Sequence, residues 1–212
     1  MSEIVYLSIH EAVHDLEAIS ASDAYRDMAR RADLSRWKRC SHVTVPLLLG
    51  AREAMAQVSL AGKEIGVISV GADLNVNHTQ VFLTRARRGQ PDLINPLDFP
   101  HTLNSGVPSS LAQALGAKAF ALVCGDGPSG VVAALKTASG FFSVGFGRAA
   151  LITVSQEDPI WTQTGSDIAV RGARVVLVTA TPRQQACCLD LADVEGRDAW
   201  CADVMLPMYP LP

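Results

Sequence analysis

The sequence predicts an α/β protein of three layers, with helices on both faces of a mostly parallel mixed sheet, and three observations predict it. Strand-like and helix-like segments alternate from residue 63 to 155, the pattern of successive β-α-β units. The apolar runs in that stretch, such as Ile65–Val70, are rich in β-branched residues without polar alternation, as in strands covered on both sides. At 212 residues, 49% of them hydrophobic, the chain can bury a core of its own without disulfide or metal staples.

Each element has its own signal. Ile4, Tyr6 and Ser8 alternate with Val5, Leu7 and Ile9, a first strand within residues 1–9. Residues 21–40 mix acids and bases, which suits either a solvated, partly helical surface or a docking patch. From Val45, the set Leu48, Ala51, Met55 and Val58 recurs at three- and four-residue intervals, marking a helix that packs by one face, with Gly62 as its stop. Ile65–Val70 follows as a buried strand. Helical periodicity then runs from Asn77 to Arg88, with Arg85, Arg87 and Arg88 where cations favour a helix carboxyl end. The stretch from Gly89 to Ser109 holds Pro91, Pro96, Pro100 and Pro108 and reads as a long loop, of a length usually reserved for function. Ser109 or Ser110 caps a short helix through Leu115, closed by Gly116. Ala119 to Cys124 is a second buried strand, Gly125 to Gly130 a glycine-rich turn, and Val131 to Phe146 a helix. Ala149–Val154, then Asp167–Val170 with Ala173–Thr181, supply the remaining strands. Residues 1–212 form one domain, and 183–212, with Pro207, Pro210 and Pro212, are expected to be an irregular tail.

The helix from Val131 to Phe146 lacks a wet side. Lys136 is its only charge, whereas a helix lying on a sheet normally carries polar residues on its outer face. Such a helix is expected to be buried all round, because otherwise an apolar patch on the order of a few hundred Å² would face water. The cover is either a partner subunit or residues 183–212 folded over it.

Composition removes several function classes. A net charge of -3 without an aromatic-basic pattern disfavours nucleic acid. No run of about 18 apolar residues is present to span a bilayer, and the amino terminus lacks the cationic start of a secretory signal, so a cytoplasmic protein is expected. Five cysteines without a CxxC pair, and scattered histidines without HExxH, argue for no metal and no cofactor.

Gly125-x-Gly127-x-x-Gly130 stands between a strand and a helix, where a dinucleotide-binding turn would stand. Against that reading, Asp126 puts a negative charge where phosphate would sit and Pro128 removes one helix N–H. A turn needing glycine only for its backbone angles is the plainer alternative. Ser129 and Cys124 are the nucleophiles of an unconventional acyltransferase reading, but Gly-Pro-Ser-Gly-Val is not a GxSxG elbow, and Cys124 is more simply a core thiol.

Three motifs carry a family resemblance. The strand and glycine opening the segment Val67 to Leu83, the stretch Ile94-Asn95-Pro96-Leu97-Asp98-Phe99-Pro100-His101-Thr102, and the elbow Asp126-Gly127-Pro128-Ser129-Gly130 followed by Ala133, Ala134 and Leu135 resemble the amino-terminal half of the β-ketoacyl-acyl-carrier-protein synthases. The resemblance covers about residues 44–180 and implies half of a thiolase-like αβαβα fold. Aligned on Ser129-Gly130, the family's nucleophilic cysteine falls on Gly127, which cannot form an acyl thioester, so no catalytic residue is expected. The family's two catalytic histidines lie in a carboxyl-terminal half that this sequence is expected not to contain.

The resemblance therefore implies a chain-length-factor-like subunit, similar to those of type II polyketide and polyene systems, pairing with an active ketosynthase as a heterodimer or heterotetramer. It implies an interface along Ala119, Phe120, Ala121, Leu122, Val123 and Cys124. It also implies an acyl tunnel shaped by Leu97, Phe99, Thr102 and Leu103. An acidic acyl carrier protein could be steered by Arg30, Arg31, Arg36, Lys38 and Arg39, with Arg85, Arg87 and Arg88 beside them.

Overall fold

The structure, a computed structural model, describes residues 4–11, 44–56, 58–71, 74–88, 96–125, 127–157, 170–182 and 187–191. The mixed-charge segment 21–40 lies outside the described residues, as do residues 158–169 and 192–212. In chain order the elements are β1 (Ile4–Glu11), α1 (Thr44–Ala56), β2 (Ile65–Val70), α2 (Val76–Arg87), α3 (Gly106–Leu115), β3 (Ala121–Val123), α4 (Gly127–Ser143), β4 (Ala149–Glu157), β5 (Val170–Thr179) and β6 (Cys187–Asp190). Short 3-10 turns occupy Gly62–Glu64 and Pro96–Thr102.

The strands form one sheet in the order β3-β2-β4-β5-β1-β6. β2 is parallel to both β3 and β4, while β4–β5, β5–β1 and β1–β6 are antiparallel. The sheet is mixed, as expected, but its parallel part ends at β4. Parallel strands need a long crossover, which α2 and α3 supply between the neighbours β2 and β3, while α4 carries the chain from β3 across β2 to β4. β5 instead pairs antiparallel with β4. Expectation and structure also differ at the tail, where Cys187–Asp190 is a strand laid antiparallel on β1. That four-residue run is too short to show an alternation of its own.

Successive residues of a strand point to opposite faces, and the two cores separate accordingly. Ile65, Val67, Leu151 and Leu177 pack beneath Leu47 and Leu48 of α1 and Leu111 of α3. Ile68, Val70, Ile152 and Val178 pack with Val131, Ala134 and Leu135 of α4. All six residues of β2 are buried, so its run of uninterrupted apolar character reports two covered faces. Ser69 and Thr153, polar residues within this buried region, share a hydrogen bond of 2.8 Å across the parallel pair.

α4 departs from the expectation of burial all round. Val131, Ala134, Leu135 and Ala138 are buried against the sheet, but Ala133, Gly140 and Ser143 are exposed, as are Val144 and Phe146 beyond the helix end. The helix is buried on one side and its other side is wet while remaining nearly uncharged. Of the final thirty residues, Leu191 joins the core beneath α4, and residues 192–212 lie outside those described.

Candidate functional site

The site lies where β2 and β3 end and α4 begins. Cys124 N–H donates to the Ser69 carbonyl at 2.9 Å and Gly71 N–H donates to the Gly125 carbonyl at 2.9 Å, so the turn is fastened to the carboxyl end of β2. Gly125 and Gly127 have φ of 35° and 55°, left-handed values that disfavour any side chain. Gly130 serves a different purpose. A Cβ there would lie 2.8 Å from Val70 Cγ1, 3.0 Å from the Gly125 carbonyl carbon and 3.1 Å from the Cys124 carbonyl oxygen, so only glycine lets α4 enter this close to the strand. Around Gly127 a Cβ would meet nothing within 4 Å. The elbow thus presents bare backbone to open space at the position aligned with a nucleophile. Cys124 does not fill that role by proximity, because its half-buried sulfur lies 3.8 Å from Thr137 Oγ1, beside α4.

The expected interface strand is shorter and more open than its sequence suggests. Only Ala121–Val123 is strand, it stands at the edge of the sheet, and its residues are exposed or half-buried rather than buried. The reason is topological: an edge strand and a central strand can share one apolar composition. β3 pairs with β2 so that Val67 and Ser69 stand opposite Ala121 and Val123. In that parallel register Leu122 directs its backbone groups to β2, while those of Ala121 and Val123 point to the open edge. Phe120, just before the strand, is half-buried and stacks on Phe141 at 4.4 Å, and Phe141 meets Phe146 edge-on at 6.0 Å.

The proline-rich stretch is not one loop. Pro96–Thr102 is a 3-10 turn, and α3 begins at Gly106 with Ser105 at its amino end, so Ser109 and Ser110 lie inside the helix instead of capping it. Pro108 is tolerated because the first helical N–H groups have no intrahelical acceptor. Gly116 closes α3 in the left-handed conformation, as expected. Thr102 is a fastener, its hydroxyl donating to the Phe99 carbonyl at 2.7 Å and its carbonyl accepting from Thr79 Oγ1 at 2.9 Å. Leu103 lines a cavity of 220 Å³ together with Pro100, His101, Ser105 and Gly106, whereas Leu97 and Phe99 do not line it and are exposed. Of the four expected tunnel residues, Leu103 lines this cavity.

Asn75 was not singled out by its sequence context. It is buried, and its side-chain amide donates to the Leu103 carbonyl, tying the 3-10 turn to the same end of β2 as the elbow. Arg30, Arg31, Arg36, Lys38 and Arg39 lie outside the described residues. Arg85, Arg87 and Arg88 are exposed at the end of α2, Arg85 within 3.9 Å of Asp98. Among the described residues no group of three or more His, Cys, Asp or Glu could hold a metal, and no helix is long and apolar enough to cross a membrane.

The mixed sheet and its flanking helices have a thiolase-like fold, which solved ketosynthase structures share. The chain is similar to the ishigamide ketosynthase/chain length factor, with a TM-score of 0.59 and 14% identity over 86% of this chain and 63% of that one. It is similar to the ketosynthase ApeO in complex with its chain length factor ApeC from Xenorhabdus doucetiae, with a TM-score of 0.57 and 14% identity over 83% of this chain and 79% of that one. For AntDE:AntF, a type II acyl-carrier protein in complex with its ketosynthase, the TM-score is 0.59 and identity 13% over 83% of this chain and 62% of that one. The chain spans a little over three fifths of the ishigamide and AntDE:AntF chains it matches. No family model matches the sequence, and no curated protein matches it either.

Proposed function

We propose that this chain is a non-catalytic, chain-length-factor-like subunit that pairs with an active β-ketoacyl synthase and shapes the tunnel in which the acyl chain grows. The observation that carries the reading is Gly127: in a ketosynthase-type fold, the elbow that would present a thiolate presents a glycine at φ 55° with open space before it. Condensation needs a nucleophile to hold the acyl group, and none stands there. The sulfur doing that work belongs to the partner. Pairing uses the free edge of β3, where the outward backbone groups of Ala121 and Val123 extend a second sheet edge across the interface. The segment Leu97 to Leu103 reaches the partner's acyl tunnel, whose length is set by the bulk of Leu97, Phe99, Thr102 and Leu103. An acyl carrier protein delivers substrate to the complex, steered by Arg30, Arg31, Arg36, Lys38 and Arg39.

Co-expression with an active ketosynthase, followed by size exclusion, tests the pairing. The expected result is one stable complex that is lost on Ala121→Pro, which removes an outward N–H while sparing the Leu122 bonds to β2. A monomeric lone chain that never copurifies with a ketosynthase defeats the reading. If the complex forms, Phe99→Trp is expected to shorten its products.

A further inference from the structure

At the amino-terminal ends of β2 and β4, away from the elbow, the two most exposed large apolar side chains among the described residues stand beside three cations. Val144 is 67% exposed and Phe146 62% exposed, in a connection where Ser143, Val144, Gly145 and Phe146 all face water. α4 runs 17 residues from the elbow to this point, about 25 Å of helix, so the two places are distinct.

The tip has a fixed shape. Phe146 N–H donates to the Phe141 carbonyl at 2.9 Å and Gly145 N–H to the Phe142 carbonyl at 3.1 Å, with Gly145 at φ 79°. This is the bond pattern of a Schellman helix end, which favours an apolar residue at Phe146 in contact with the helix. The Phe146 ring does meet Phe141 edge-on at 6.0 Å, and Phe141 stacks on Phe120, yet most of Phe146 remains in water. The motif asks for nothing apolar at Val144, so helix capping does not explain the pair.

Backbone bonds gather cations at the same end. Lys118 N–H donates to the Gly62 carbonyl at 2.8 Å and Arg148 N–H to the Glu64 carbonyl at 2.8 Å, which brings both beside Lys63 in the Gly62–Glu64 turn. Lys63, Lys118 and Arg148 are exposed. Glu64 pairs with Arg148 at 3.4 Å, and three cations against that one carboxylate leave a formal +2 on a chain that carries -3 overall.

Two apolar side chains on a tip cover far less than the about 800 Å² that a stable protein interface takes from each partner. They suit a surface that yields to them, and interfacial anchors combine such side chains with lysine and arginine. We propose that this end of the molecule docks peripherally on an anionic lipid membrane, with Val144 and Phe146 entering the headgroup layer and Lys63, Lys118 and Arg148 against its phosphates. Anchoring of this kind is reversible and needs no spanning helix. It stands apart from pairing with a ketosynthase.

Sedimentation of the full chain with vesicles tests it. The wild type is expected to pellet with vesicles of equal parts phosphatidylcholine and phosphatidylglycerol, to stay in solution with phosphatidylcholine alone, and to be released by salt. Val144→Asp and Lys118→Glu, each with an unchanged melting curve, should weaken binding to the anionic vesicles roughly tenfold apiece. Phe146→Trp should keep binding and add a blue-shifted fluorescence on vesicle addition that the wild type lacks. A wild type that ignores the anionic vesicles, or that binds both kinds equally, overturns the proposal. So does binding that both Val144→Asp and Lys118→Glu leave intact, since the contact would then lie on another surface. If the two variants instead lose copurification with an acidic carrier protein while vesicle binding is absent or unchanged, the face serves a protein and the membrane assignment is wrong.

Discussion

The two faces of the sheet are sealed equally well underneath and differently outside. Beneath α1 and α3, Leu47, Leu48 and Leu111 are fully buried, and beneath α4, Leu135 and Ala134 are buried just as deeply. The outer surfaces part company. α1 shows Arg52 and Glu53 to solvent and α3 shows Gln113, whereas the exposed positions of α4 include Ala133, Gly140 and Ser143. Exposure is the same quantity on both sides, but only one side has the chemistry of a surface meant for water. Side-chain identity, not accessibility, separates the two outer layers.

The largest expected effects test the claim that both undersides are equally closed. Leu111→Ala and Leu135→Ala should each cost about 2–5 kcal/mol, read as a drop in urea midpoint at constant slope, since each removes a buried side chain from a packed core. A cost below about 1 kcal/mol for Leu135→Ala alone would show α4 loosely seated and end the comparison.

The bond between Ser69 and Thr153 lies on the α1 and α3 side, where alternation places Ser69 with Ile65 and Val67. Ser69→Ala should cost about 1–3 kcal/mol by stranding the Thr153 hydroxyl, while Ser69→Ala with Thr153→Val should recover much of it. Equal costs for single and double variants would mean the stranded hydroxyl finds another partner.

The elbow offers an internal comparison of two glycines three residues apart. Gly130→Ala drives a methyl against Val70 and the backbone of Cys124 and Gly125, an overpacking expected to cost about 1–3 kcal/mol. Gly127→Ala meets only open space, and its cost of about 1–2 kcal/mol comes from the left-handed φ alone. Asparagine, which tolerates that conformation, should lower the cost at Gly127 and not at Gly130.

Much of this was legible in the residues. Ile65–Val70 could be bounded correctly because six apolar or small residues sit between a charged turn and Gly71, and α2 because its arginines cluster at its end. Other features are settled by partners distant in sequence. Ala119 to Cys124 reads like any buried strand, and only the sheet order makes it an edge. Prolines that look like loop markers are absorbed by a 3-10 turn and by the first turn of α3. β6 exists because β1 lies beside it, and the antiparallel half is set by the pairing of β5 with β4 and β1. At the elbow the left-handed backbone was implied by glycine, but the open space before Gly127 and the crowding at Gly130 are facts of packing.

The smallest expected change in stability carries the most information about the difference between faces. Ala133 is exposed on α4, so Ala133→Glu should leave folding stability within about 0.5 kcal/mol, as should Arg52→Ala on α1. Assembly should separate them. A carboxylate introduced at a contact that becomes buried loses its hydration without a partner, so Ala133→Glu is expected to reduce copurification with a ketosynthase while Arg52→Ala leaves it intact. If both variants assemble like wild type, the uncharged outer row of α4 faces water in the complex as well. The contrast between the two faces would then be an accident of composition, with no bearing on what covers the molecule.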